Sequence, residues 1–109
     1  MRIYTKSLEI VRLVVALCRR IQEQDPDLAR QIKRASMSVP LNLQEGLYSL
    51  GGNRIARFHD SMGSAREVMA CMHVAVAAGY VQPAEVEVVL EHLDHVIGAL
   101  WKLSRKRSR

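Results

Sequence analysis

The stretch QIKRASMSVPLNLQEG, Gln31 to Gly46, carries a helical apolar rhythm straight through a proline. Leu28, Ile32, Ala35, Val39, Leu43 and Leu47 step by three or four, the spacing that stacks side chains on one helix face. A proline inside a helix forfeits a backbone hydrogen bond and strains the turn, at a cost of about 3 kcal/mol. A segment that keeps its rhythm past Pro40 recovers that cost by packing, so the reading is a helix that bends at Pro40 and continues. Beside the apolar residues, Gln31, Arg34, Ser38, Asn42 and Glu45 are spaced 3, 4, 4 and 3 and form a polar stripe on the next face.

The flanks extend this helix into a set of four. Asp25, Pro26 and Asp27 supply an N-cap, a first-turn proline and a charge that suits the positive helix end. Before them, a helix from about Ser7 to Gln24 carries two apolar stripes, Tyr4, Leu8, Val11, Val15 and Cys18 beside Ile10, Val14, Leu17 and Ile21. A surface helix needs only about 100° of apolar arc, so this helix is expected to touch more than one neighbour, of which another subunit is one candidate. After the Gly51-Gly52 turn, Asn53 is the expected cap of a third helix with Ile55, Phe58, Met62, Ala65, Met69, Met72 and Val76 on its inner face. Gly79 ends it. Pro83 opens a fourth, with Val86, Leu90, Leu93, Ile97 and Leu100 inward. Short connections and the lack of strand alternation predict an all-α, antiparallel up-down bundle over residues 1–101, with a basic tail over 102–109.

Composition agrees with one helical domain. Of 109 residues, 49% are hydrophobic and only 5% aromatic, and a chain of this length buries roughly two thirds of its unfolded surface. The net charge is +5, from 16 basic and 11 acidic residues. Five of the basic residues, Lys102, Arg105, Lys106, Arg107 and Arg109, lie in the last eight positions; setting them aside leaves 11 against 11. Cys18 and Cys71 fall on apolar faces and read as small buried hydrophobes. The first apolar stretch is broken by Glu9 and Arg12, unlike a secretory signal, so a reducing cytoplasm is the expected setting. The run Met69 to Val81 is too short to span a bilayer.

A helical bundle invites a search for a di-metal site, which needs Glu-x-x-His motifs; the sequence has none. His92 and His95 are a turn apart but sit with Glu91 and Asp94 on the polar side of the fourth helix, and His59 and His73 read as boundary residues. Ser38, Ser64 and Cys71 lack a nucleophile motif, and Gly51-Gly52 lacks the lysine and serine of a phosphate loop. The expectation is therefore a protein with no metal, cofactor or catalytic activity. Two readings of the polar stripe stay open. In one, Gln31, Arg34, Ser38, Asn42 and Glu45 join Ser64 and Glu67 in a hydrogen-bond network that sets helix register and receives the carbonyl freed by Pro40. In the other, they form a ligand or partner site. The basic tail either solubilises, meets an acidic membrane, or, as five closely spaced cations favour, contacts nucleic-acid phosphates. Arg19, Arg20, Lys33, Arg54, Arg57 and Arg66 are further candidates for such contacts.

The motif in Gln31–Gly46, together with FHDSMGSAREV and its Phe58, Gly63, Ser64 and Glu67, resembles the bacterial four-helix proteins encoded in intervening sequences of 23S ribosomal RNA genes. Helix 2 of that family reads like Q-x-x-R-A-x-x-S-x-P-x-N-x-x-E-G. The same superfamily includes the accessory variability determinant (Avd) proteins of diversity-generating retroelements. Gln44, His59 and Asp60 depart from the usual residues without breaking the motif. The resemblance implies a non-enzymatic cytoplasmic homopentamer, whose ring interface would suit Ile10, Val14, Leu17 and Ile21. For Avd it implies binding of nucleic acid, RNA or DNA, and of a reverse transcriptase. The alternative it leaves is a protein-interaction ring that does not touch nucleic acid.

Overall fold

The computed structural model describes residues 2–105, and four helices account for nearly all of them: α1 (Arg2–Gln24), α2 (Pro26–Leu47), α3 (Gly51–Ala77) and α4 (Pro83–Arg105). They form a rod of 49 × 22 × 19 Å. Each helix packs against the next, and α4 closes the bundle against α1 through the lightest of the four seams. No helix is long and apolar enough to cross a membrane.

The joints are built from identifiable local chemistry. Asp25 alone separates α1 from α2; its Oδ1 accepts from the Leu28 amide at 3.0 Å, and Pro26 follows in the first turn, where its missing N–H costs nothing. Gly79 ends α3 with φ near +80°, a backbone that side chains disfavour. The amides of Tyr80 and Gly79 bond back to the carbonyls of Ala75 and Val76, a Schellman closure. The Glu85 carboxylate accepts from the Gln82 amide at 2.7 Å and so satisfies an orphan donor at the start of α4.

Several expectations are corrected. Helix α1 starts at Arg2, not near Ser7, because Ser7 is buried and its hydroxyl donates to the Tyr4 carbonyl within the helix instead of capping it. Helix α3 starts at Gly51, and Leu50 occupies the cap position without a side-chain bond; Asn53 donates to Ser49 Oγ at 3.1 Å. Helix α4 continues to Arg105, which puts Lys102 and Arg105 on the helix, while Lys106, Arg107 and Arg109 lie outside the described residues. Trp101, which follows the apolar stripe in sequence, is 47% exposed.

The largest correction concerns the expected interface stripe. Ile10, Val14 and Ile21 are completely buried within the chain, and Leu17 packs partly buried against the same core. The stripe faces inward because α1 lies between α2 and α4 and needs a wide apolar arc to meet both. It is core, and the flank is left to Leu8, which is 42% exposed.

Helix α2 runs unbroken through Pro40, which is itself buried. Its seam with α3 is the most extensively packed in the bundle. A Cβ built on Gly46 would lie 2.6 Å from Phe58 Cε1 and 2.7 Å from Cδ1. Fully buried Ser61 donates from α3 to the Val39 carbonyl at 2.7 Å, next to the proline.

Two expected outcomes follow from this packing. Gly46→Ala should lower stability by about 1–3 kcal/mol, the usual cost of overpacking. That cost should shrink in a Phe58→Leu background, as measured by denaturant unfolding of the double-mutant cycle; additivity would refute the contact. The second concerns the thiols. Burial pushes Cys18 up to about 11 and also raises Cys71, and both side chains are enclosed by the core. At pH 8 only about a thousandth of Cys18 would be thiolate, so a thiol reagent should label neither cysteine until the protein unfolds.

Candidate nucleic-acid interface

The up-down order brings the start of α1, the end of α2, the start of α3 and the end of α4 to one end of the rod. Cross-helix bonds fix this register: Lys6 to His95, Asn42 to Arg57 and Gln31 to Glu67 pair residues whose numbers rise on one helix and fall on the next. Arg2, Arg54, Arg57, Lys102 and Arg105 therefore converge, with Arg2, Lys102 and Arg105 exposed. Among the acids, Glu45 shares this end, Glu9 lines a groove with Arg2, and Asp60 lies one turn beyond Arg57 on α3.

Arg54, Arg57 and Arg105 lie against aromatic rings or an amide and not against carboxylates. The Arg105 guanidinium sits 4.3 Å from the Trp101 ring centroid, and that of Arg54 lies 5.3 Å from Phe58. Arg57 donates to Asn42 Oδ1 at 3.4 Å. Among the described residues, the ion pairs are Arg12–Glu9, Arg20–Glu85 and Arg30–Asp27, none involving this group. Tyr48 and Leu50, in the turn between α2 and α3, are each 83% exposed. One end thus combines unneutralised cations with two exposed aromatic rings, Tyr48 and Trp101.

The opposite end is mixed in sign and internally satisfied. Arg20 pairs with Glu85, and this hydrogen bond, with that from the Gln82 amide, holds the Glu85 carboxyl below its ordinary range. Tyr80 donates to Asp25 Oδ2 at 3.2 Å, which raises its phenol. Arg19 lies at this end too, so it and Arg20 stand about 30 Å from Arg105 at the α-helical rise. Lys33 is half-buried on α2, and Arg66 is exposed midway along α3. The candidate cations therefore divide: Arg54, Arg57, Lys102 and Arg105 gather, and Arg19, Arg20, Lys33 and Arg66 do not join them.

The polar stripe is not one closed network. Gln31 donates to Glu67 Oε2 at 3.4 Å, while Asn42 donates to the Ser38 carbonyl and hydroxyl at 3.0 and 3.1 Å. The carbonyl that Pro40 leaves without its amide belongs to Ser36, so Asn42 serves a different one. Glu45 is exposed, and its backbone carbonyl accepts from Ser49 Oγ. Gln31, Arg34, Ser38, Ser64 and Glu67 instead line an open groove of about 380 Å³ between α2 and α3, together with Asp27 and Arg30. His92 lines the α1–α4 seam, and Lys6 Nζ lies 2.8 Å from His95 Nδ1 there.

Sequence reasoning missed Arg2, Tyr48 and Trp101 as members of the basic end. The signal available was the predicted antiparallel order itself, which already places residues 2, 48 and 101 together.

A comparison with curated proteins finds no match. Among solved structures, the chain is similar to a protein of unknown function from the S23 ribosomal protein family of Bacteroides thetaiotaomicron VPI-5482. That similarity has a TM-score of 0.87 at 17% identity and covers 95% of this chain and 99% of the other. At that identity the likeness establishes the fold. The family model described as 23S rRNA-intervening sequence protein matches residues 1–102, and with the helix 2 motif and the four-helix architecture both in place, the chain belongs to that family.

Proposed function

We propose that this protein is a nucleic-acid-binding accessory subunit whose contact surface is the basic end of the bundle. The observation that carries this reading is the convergence of Arg2, Arg54, Arg57, Lys102 and Arg105 beside exposed Tyr48 and Trp101. Cations without carboxylate partners are free to exchange their counterions for phosphates, which drives binding. Aromatic faces add stacking to unpaired bases without reading sequence. The sequence continues past Arg105 with Lys106, Arg107 and Arg109, which extend the same charge. At the C-terminal end of α4 the helix dipole favours cations such as Lys102 and Arg105.

Within this reading, the Avd side of the resemblance supplies the finer assignment: a subunit that brings template RNA or DNA to a reverse transcriptase, in the cytoplasm and as a homopentamer. With Ile10, Val14 and Ile21 in the core, self-association falls to exposed apolar residues such as Leu8, Val74 and Val88. A protein-interaction role is favoured separately by Met37 and Leu41, which are exposed at 43% and 66% on α2, the helix that supplies most of the polar groove.

Fluorescence anisotropy with labelled single-stranded RNA and DNA across salt tests the reading. Replacing Lys102, Arg105, Lys106, Arg107 and Arg109 by Ala should weaken binding and flatten the dependence of log K on log salt by about 0.7 for each phosphate no longer neutralised. Tyr48→Ala and Trp101→Ala should each cost about 1–3 kcal/mol for single strands. Unchanged affinity and slope in the five-site variant would overturn the proposal.

A further inference from the structure

Resting on the nucleic-acid reading above, we infer that the notch in the α1–α4 seam is a receptor for one unstacked nucleobase of a single strand. The notch has a volume of about 170 Å³ and is lined by Arg2, Ile3, Lys6, His95, Val96 and Ala99. It opens near the basic end because Arg2 and Lys6 begin α1 while Val96 and Ala99 approach the end of α4. No loop joins α1 to α4, and this seam is the lightest packed in the bundle. A gap persists where neither a connecting loop nor dense packing closes it.

Size and chemistry select the occupant. Sites for drug-sized ligands measure about 300–1,000 Å³, so this one suits a single planar ring. Its floor is aliphatic, from Ile3, Val96 and Ala99, and its rim carries the Arg2 and Lys6 cations. An apolar slot with cations on the rim matches a base flanked by its own phosphates. The ammonium of Lys6 can only donate, so its 2.8 Å contact makes His95 Nδ1 the acceptor. The ring proton then belongs on Nε2, which becomes a donor for a base carbonyl. Next to the notch, a shallower groove of about 460 Å³ continues along Arg2, Lys6 and His92. The acid in that groove, Glu9, is engaged by Arg12 at 3.2 Å, which reduces its repulsion of a passing phosphate. A base paired inside a duplex cannot enter such a slot, so single strands are preferred.

The test compares a labelled oligothymidylate with an oligomer of the same length in which every base is absent but the sugar-phosphate chain is kept. The full-length protein should bind the first at least about fivefold more tightly, the scale of one stacked base. The preference should persist in a Tyr48→Ala/Trp101→Ala background, which removes the other stacking faces. Ala99→Phe, which fills the notch, should abolish it there while leaving affinity for the abasic strand and the salt slope unchanged. A second measurement needs no variant: thymidine 5′-monophosphate should shift the methyl resonances of Ile3 and Ala99 in the NMR spectrum, and ribose 5-phosphate should not. If oligothymidylate binds but the Tyr48→Ala/Trp101→Ala protein shows no base preference and the methyls do not move, the notch is overturned while the basic end survives. If neither strand binds, both are overturned.

Discussion

The close approach of α2 and α3 is the constraint from which the remaining geometry follows. Gly46 meets the edge of the Phe58 ring where a methyl group would not fit. Two turns away, Ser61 reaches across to the Val39 carbonyl with no solvent access. A buried hydrogen bond of this kind contributes modestly when made but costs about 1–3 kcal/mol when one partner is left unsatisfied. Together the two contacts fix both the distance and the register of the α2–α3 pair. They also lie on either side of Pro40, where α2 is one backbone bond short. Tertiary packing thus holds the helix through the position where its own ladder is weakest.

That register decides where the charges go. Because α2 and α3 are antiparallel and joined by a three-residue turn, Arg54 and Arg57 in the first turns of α3 stand at the end where α4 finishes with Lys102 and Arg105. Helix α1, tied to α2 by Asp25 alone, must then bring Arg2 to the same place. At the far end the same topology collects Asp25, Asp27 and Glu85 with Arg20 and Arg30, where opposite signs are close enough to pair. Exposed pairs contribute little to stability. Their consequence here is electrostatic polarity: one end of the rod neutralises itself and the other does not.

Much of this was legible in the sequence, and the failures have physical causes. Apolar periodicity located all four helices, since burial of one face is what makes each helix stable. Asp25-Pro26 and Gly79 were readable because each solves a backbone problem that few residues solve. Periodicity could not decide which of two equally apolar stripes on α1 faces inward, because that depends on how many neighbours the helix has. Nor does periodicity show that Trp101, one position past Leu100, stacks with Arg105 at the surface. The basic residues were visible as a tail, but their gathering with Arg54 and Arg57 is a property of the fold's end and not of any contiguous stretch.

The polar stripe of α2 shows why a motif and a site need not coincide. Gly46 and Asn42 act on the seam: one admits the Phe58 ring, the other bonds both its own helix and Arg57. Arg34 and Ser38 instead line a groove where Asp27 and Glu67 face them. Mixed signs suit the charged side chains of a protein better than a uniform polyanion, since every acid repels phosphate. The basic end has the opposite character, with cations and aromatic faces but little acid. A division of character follows from charge alone, with the motif helix shaping the bundle and lining a groove of mixed sign, and the helix ends gathering cations that no carboxylate neutralises.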